Sequence, residues 1–172
     1  MSGGAKSKRK GNSGELELCK MLGKALGGSF IRSNNSGAFV GGKNVFRKAV
    51  LSANQTQSLK GDIVPPDHLT KLVVECKNYS EFRFHQLLQP GPCKQLDEWI
   101  KQTLDIVDEG DVMLVCFKIS RTGWFVAVPE VDCPDYLLGN HCVYEGAHGK
   151  FRVTDLARFL EDNREAILRK AR

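Results

Sequence analysis

Leu18, Cys19, Leu22, Ala25 and Leu26 recur at three- and four-residue steps, and Glu15 follows Asn12 by three residues as in a capping box. This spacing predicts a helix that opens at Asn12 and stops at Gly27 and Gly28. Ahead of it, residues 1–11 (MSGGAKSKRKG) offer almost nothing apolar, which predicts a flexible basic arm because burial cannot repay the entropy of ordering. SFIR at 29–32 reads as a short strand. A polar, glycine-rich stretch from Ser33 to Gly61 follows and reads as an insertion loop at about 37–61, with room for a short helix around 44–52. The segments D-I-V at 62–64 and K-L-V-V-E-C-K at 71–77 flank a Pro-Pro turn and predict a β-hairpin. Beyond Pro90 and Pro92, the positions Leu96, Trp99, Ile100, Leu104 and Val107 predict a helix over 93–108. VMLVCFK at 112–118 and GWFVAV at 123–128 predict two further strands. The apolar positions Leu156, Phe159, Leu160 and Ile167 predict a last helix from Thr154 to about Lys170. The predicted order is α-β-β-β-α-β-β with a tail that ends in a helix, an α/β domain at 12–129 followed by a helical extension at 130–172.

Strand periodicity puts Val73, Glu75 and Lys77 on one face and Leu72, Val74 and Cys76 on the other. An acid and a base therefore share a face otherwise built from valine and leucine, where charge is costly unless it pairs or binds a metal. Asp62 opens the preceding strand, and a hairpin of this length carries its carboxylate toward Glu75. Two adjacent carboxylates repel, and a divalent cation relieves the repulsion. Hard oxygen donors suit Mg²⁺, with Mn²⁺ as a substitute, and such a metal polarises a phosphoryl oxygen and acidifies a bound water. Lys77 is placed to orient the attacking water or to offset charge on the phosphorane. Glu15, one turn before Leu18 and Leu22, belongs at the edge of the helix face that packs on the sheet, whereas Glu17 belongs in water. Taken singly, Glu75 and Lys77 are an ion pair, Asp62 is a turn residue and Glu15 a capping acid. Taken together and in order, they point to metal-dependent hydrolysis.

Composition narrows the partner. Lys and Arg number 25 against 20 Asp and Glu, a formal net charge of +5 that favours a polyanion. Lys6, Lys8, Arg9 and Lys10 precede the first helix, and Lys43, Arg47, Lys48 and Lys60 lie along the loop, where they suit phosphate contacts that hold DNA without reading bases. Phe39 and Phe46 are candidates to wedge into opened DNA. Six scattered cysteines with no C-x-x-C pair read as reduced thiols, and with no apolar leader or spanning run the expectation is a cytoplasmic protein, in the host cytoplasm if viral. Cys133, His141, Cys142 and His148 match no standard zinc spacing. The absence of a Walker-type glycine loop argues against a nucleotide cofactor.

The segments KGNSGELELCKML at 10–22, FIRSNNSGAF at 30–39, KGDIV at 60–64, VVECKNY at 73–79 and VMLVCFK at 112–118 resemble the PD-(D/E)xK nucleases, and among them the archaeal and phage Holliday junction resolvases. The resemblance implies a restriction-endonuclease-like αβββαβ core, with a central mixed sheet flanked by helices. It implies a symmetric homodimer that makes paired, Mg²⁺-dependent nicks in four-way DNA, with Trp99 or the last helix as candidates for the dimer contact. It further implies Glu15, Asp62, Glu75 and Lys77 as the catalytic set. The metal ligands would be Asp62, Glu75, Glu15 and the backbone carbonyl of Cys76, and Arg32, Ser33 and Ser36 would form the loop that touches phosphate. The chain departs from the pattern at Gly61, where the motif nominally has proline, at Leu16, where the archaeal enzymes tend to carry a basic residue, and in the length of the 37–60 stretch. The alternatives are a PD-(D/E)xK nuclease acting on linear or single-stranded DNA, and a non-catalytic DNA-binding module. His85 and Gln102 lie at positions from which they can reach the rim of the site.

Overall fold

The computed structural model describes residues 3–33 and 60–172, with side chains described from residue 10 onward. Its elements are α1 (Gly3–Leu26), β1 (Ile31–Arg32), β2 (Ile63–Val64), β3 (Leu72–Tyr79), α2 (Lys94–Leu104), β4 (Val112–Ile119), β5 (Gly123–Pro129), β6 (His141–Gly146), β7 (Gly149–Asp155), α3 (Leu156–Asp162) and α4 (Arg164–Lys170). Short 3-10 turns cover Asp67–Leu69, Phe84–Leu88 and Glu130–Asp135. The strands form one seven-stranded sheet in the order β1-β2-β3-β4-β5-β7-β6. Only β3 and β4 run parallel; the remaining neighbours are antiparallel. A parallel pair needs a crossover, and α2 is that crossover. The expected α-β-β-β-α-β-β order is present.

The alternation read in β3 sorts its side chains between two cores. Leu72, Val74 and Cys76 join Leu18, Leu22 and Leu26 of α1 and Leu156, Phe159, Leu160 and Ile167 of α3 and α4 on one face. On the other face Leu96, Trp99 and Ile100 of α2 pack on Met113, Val115 and Phe117 of β4, with Phe82 stacked on Trp99. Trp99 is 2 % exposed, so it fills this core and offers nothing to a dimer contact. No helix among the described residues is long and apolar enough to cross a membrane.

Four expectations about boundaries change. First, α1 starts at Gly3, not Asn12, so most of the expected flexible arm is helix. Adding a turn to a nucleated helix costs little, Ala, Lys and Arg propagate well, and Asn78 Nδ2 donates to the Lys10 carbonyl at 2.8 Å across from β3. Second, α2 ends at Leu104, which is itself 41 % exposed, rather than at 108. Third, the C-terminal extension is not simply helical: β6 and β7 form a hairpin that extends the sheet beyond β5. Fourth, the single helix expected over 154–170 begins as strand and is broken at Asn163. Buried Asn163 accepts from the Leu137 N–H and donates to the Leu137 and Phe159 carbonyls, so its side chain competes with the helical ladder and ties α3 and α4 to the 130–138 segment. The insertion and its expected short helix at 44–52 lie outside the described residues.

Candidate active site

The site forms where β2 peels away from β3. Ile63 pairs with Val74, but β2 is only two residues long, so the β3 backbone beyond this point lacks a full strand partner on that side. The chain instead folds the Asp62 side chain over the gap: Asp62 N–H donates to the Val74 carbonyl at 3.0 Å, and Asp62 Oδ2 accepts the Cys76 N–H at 2.9 Å. Gly61 makes this possible. Its φ is +70°, and a Cβ there would stand 2.5 Å from the Val74 carbonyl oxygen. Proline cannot adopt that φ, so the departure from the nominal motif proline is what this backbone requires. Ser33 N–H closes the arrangement by donating to the Asp62 carbonyl at 2.8 Å.

Glu75 and Lys77 stand on the α2 face of β3. Lys77 Nζ donates to Glu75 Oε1 at 2.6 Å and to Gln102 Oε1 of α2 at 2.7 Å. Burial alone would push the Lys77 ammonium down, but the charge and hydrogen bond of Glu75 hold it above its ordinary value. Asp62 has no such partner. Burial raises its carboxyl, the Glu75 charge adds to this, and the Cys76 N–H and Lys77 offset only part, leaving it pushed up to about 7. Cys76 and Cys116 face each other across β3 and β4, and burial keeps both thiols protonated. All six cysteines are free.

Glu15 reaches the same neighbourhood from α1, since its charge contributes to the raised Asp62, but its carboxylate is paired with the Arg32 guanidinium of β1. Among the described residues no group of three or more His, Cys, Asp or Glu side chains stands close enough to hold a metal. The Glu75 charge acts on Asp62 strongly, and the Glu15 charge acts on it more weakly from its pair with Arg32. Two buried carboxylates and a backbone carbonyl fit a small hard cation that keeps several of its own waters. Cys133 and His141 are engaged elsewhere, Cys133 Sγ with the Pro129 carbonyl and His141 with Gly139 and Arg152, so no zinc set forms from them.

The expected DNA contacts divide. Lys60 is corrected: it is 5 % exposed, and its ammonium sits 2.6 Å from Asp111 and 2.8 Å from Asp108, a buried anchor rather than a phosphate contact. Arg32 is partly exposed, and Ser33 is buried. Lys10 is half-buried on α1. The side chains of Lys6, Lys8 and Arg9, and all of Ser36, Phe39, Lys43, Phe46, Arg47 and Lys48, lie outside the described residues. Glu17 faces solvent in part, as expected, with its side chain 42 % exposed, but it also has partners that the expectation did not include. It pairs with Lys118 at 2.6 Å, accepts from Trp124 Nε1 at 2.8 Å, and is held below its usual range chiefly by Lys118. Nothing in helical periodicity marks Glu17 as a bridge to β4 and β5, because its partners lie about a hundred residues on.

A family model described as "Phage putative PDDEXK endonuclease" matches residues 6–152. The match passes the expected end of the core at 129 and takes in β6 and part of β7. No curated protein and no solved structure matches the chain.

Proposed function

From the premise that the chain belongs to this phage PDDEXK endonuclease family, we propose that it is a Mg²⁺-dependent DNA endonuclease whose reacting groups are Asp62, Glu75 and Lys77, completed by Glu15. The observation that carries the reading is the buried Asp62 carboxylate, left without a cation beside Glu75 and pushed up to about 7. Structural carboxylates are paired; one kept in repulsion at the end of an inner strand suits a cation. The family generally uses a divalent metal, and here Asp62, Glu75 and the Cys76 carbonyl would hold it. When bound, it supplies charge to the phosphoryl group and lowers the pKa of a water.

The chain's own groups do the rest. Lys77, held on two sides, keeps one N–H for a phosphate oxygen or the attacking water. Arg32 is a phosphate contact in waiting: a phosphate drawing the guanidinium from Glu15 frees that carboxylate to join Asp62 and Glu75. Ser36, Lys8, Arg9, Lys10, Lys43, Arg47 and Lys48 serve as contacts to the DNA backbone and position it without reading sequence, while buried Ser33 holds the Asp62 backbone.

Branched DNA is the finer reading of the substrate. It is supported by the SNNSGAF and ECKNY segments, which resemble those of phage junction resolvases, and by the basic residues that the sequence carries at Lys6, Lys8, Arg9 and Lys10 and at Lys43, Arg47 and Lys48. Two equivalent cuts call for a homodimer. The test is cleavage of a labelled four-way junction and a matched linear duplex in Mg²⁺, with Glu75→Ala and Lys77→Ala beside the wild type. Symmetric nicking of the junction alone, lost in both variants with binding retained, is the expected result. Cutting of both substrates leaves a general nuclease, and binding without cutting in Mg²⁺ or Mn²⁺ makes Glu75 and Lys77 an ion pair in a DNA-binding module. Sedimentation at the assay concentration reads the dimer.

A further inference from the structure

We infer that Gln102 is a positioning residue for Lys77, and through it for the scissile phosphate. This rests on the proposed nuclease reading of the same site. Lysine carries three ammonium donors on a flexible four-carbon stem, so its charge is cheap to place and hard to aim. In this protein two of the three are fixed from different elements: Glu75 Oε1 at 2.6 Å comes from β3 itself, and Gln102 Oε1 at 2.7 Å from the last turn of α2. Three points on two rigid elements define where the third N–H points.

The two anchors are not equivalent. Glu75 is the charged partner, but it is also a proposed cation ligand, so its hold on Lys77 weakens when its oxygens turn to that task. Gln102 is neutral. It offers Lys77 an acceptor without cancelling the ammonium charge and without competing for the cation, and it remains in place whichever way Glu75 leans. It also explains an otherwise odd choice of side chain. Gln102 lies on the exposed side of α2, yet its amide turns in toward a lysine that is only 17 % exposed. In open solvent such a bond competes with water and contributes little. Beneath a bound DNA backbone water is excluded, the bond strengthens, and the lysine is aimed when aiming matters.

The experiment is steady-state cleavage of the preferred DNA in Mg²⁺ by wild type, Gln102→Leu and Gln102→Glu, with thermal unfolding of each. Gln102→Leu keeps the length and removes the acceptor. The expected result is a fall in kcat of about 10- to 30-fold with KM within about twofold, since a small misplacement costs rate rather than affinity. Gln102→Glu restores an acceptor oxygen at the same reach but adds a charge that offsets the ammonium, and is expected to recover part of the loss, to within about fivefold of wild type. Unfolding temperatures stay together, because an exposed helical position tolerates all three side chains. Unchanged kcat in Gln102→Leu overturns the inference while leaving the nuclease reading intact. A kcat loss in Gln102→Glu as large as in Gln102→Leu, or a loss that tracks unfolding, also overturns it and makes Gln102 a structural residue. No cleavage by wild type in any divalent metal removes the nuclease reading and this inference with it.

Discussion

Among the described residues, two clusters each contain one largely buried lysine and two carboxylates, and they are finished differently. In the first, Lys60 lies between Asp108 and Asp111 and both acids share its charge. Burial works to lower this ammonium, and the two acids more than reverse that, holding it above its ordinary value. The cluster is closed: it pins the segment before β2 to the turn before β4. In the second, Lys77 bonds one carboxylate, Glu75, and spends its other contact on neutral Gln102. Asp62 is left over, buried and raised to about 7. Equal composition therefore gives a staple in one place and an unmet charge in the other. The lesson is that a buried acid is informative when its cation is missing.

Removing the leftover acid breaks the comparison hardest. Asp62→Asn keeps an acceptor for the Cys76 N–H and relieves the repulsion with Glu75, so the metal-free protein is expected to gain about 1–3 kcal/mol in urea unfolding. The same change is expected to lower kcat by roughly a thousandfold or more, because the proposed cation site loses a ligand. Stability and activity thus move in opposite directions. If Asp62→Asn loses both, the acid is structural and the two clusters are alike.

The converse experiment opens the closed cluster. Lys60→Met leaves Asp111, whose side chain is 7 % exposed, buried without its cation. Breaking a buried pair by removing one partner costs about 3–5 kcal/mol, and the exposed Asp108 softens this to about 2–3 kcal/mol here. Chemical unfolding measures the loss. Cleavage measured well below the unfolding transition is expected to stay within about threefold of wild type, which separates an anchor from a DNA contact. A large rise in KM with stability intact would return Lys60 to the phosphate-binding set.

Proton linkage gives a smaller and reversible version of the same contrast. Asp62 has a folded pKa near 7 against an unfolded value of about 3.9. Between these values the folded state holds a proton the unfolded state has lost, so this group's stabilisation is present at low pH and is lost as pH rises through about 7. Metal-free protein is therefore expected to lose about 1–3 kcal/mol between pH 5 and pH 8 from this group. Asp62→Asn is expected to flatten that slope, and Mg²⁺ to restore stability at pH 8 but not at pH 5. A slope unchanged in Asp62→Asn assigns the titration to another group.

Much of this was legible in the chain, and what was not has physical causes. The strand alternation that separates Glu75 and Lys77 from Val74 and Cys76 is a local rule, and the two cores obey it. The apolar stripes of α1 and α2 are equally local. The β6–β7 hairpin escaped even though Cys142 and Tyr144, then Phe151 and Val153, alternate across the Gly146–Gly149 turn, a period-2 signal diluted by charged and glycine neighbours. The break at Asn163 depends on Leu137, and the burial of Lys60 on Asp111, so neither is written in its own neighbourhood. Motif order singles out Asp62 as a candidate, but the reason Gly61 precedes it is visible only as the 2.5 Å approach to Val74.

The smallest expected effect separates a residue's backbone from its side chain. Cys76 lies between Glu75 and Lys77; its N–H bonds Asp62 and its carbonyl is a proposed cation ligand, while its thiol lies on the opposite face in the core with Leu18, Leu22 and Val74. Burial keeps that thiol protonated, so it is neither a nucleophile nor a ligand. Cys76→Ala should therefore cost about 1 kcal/mol in unfolding, the loss of one small buried group, and leave kcat within about twofold. Thiol alkylation of the folded enzyme should be equally without effect on cleavage, because Cys76 is 8 % exposed and its neighbour Cys116 is fully buried. A large loss of kcat in Cys76→Ala, with the fold intact, would mean that the α1 face of β3 takes part in the chemistry, and the division of labour between the two faces of this strand would have to be redrawn.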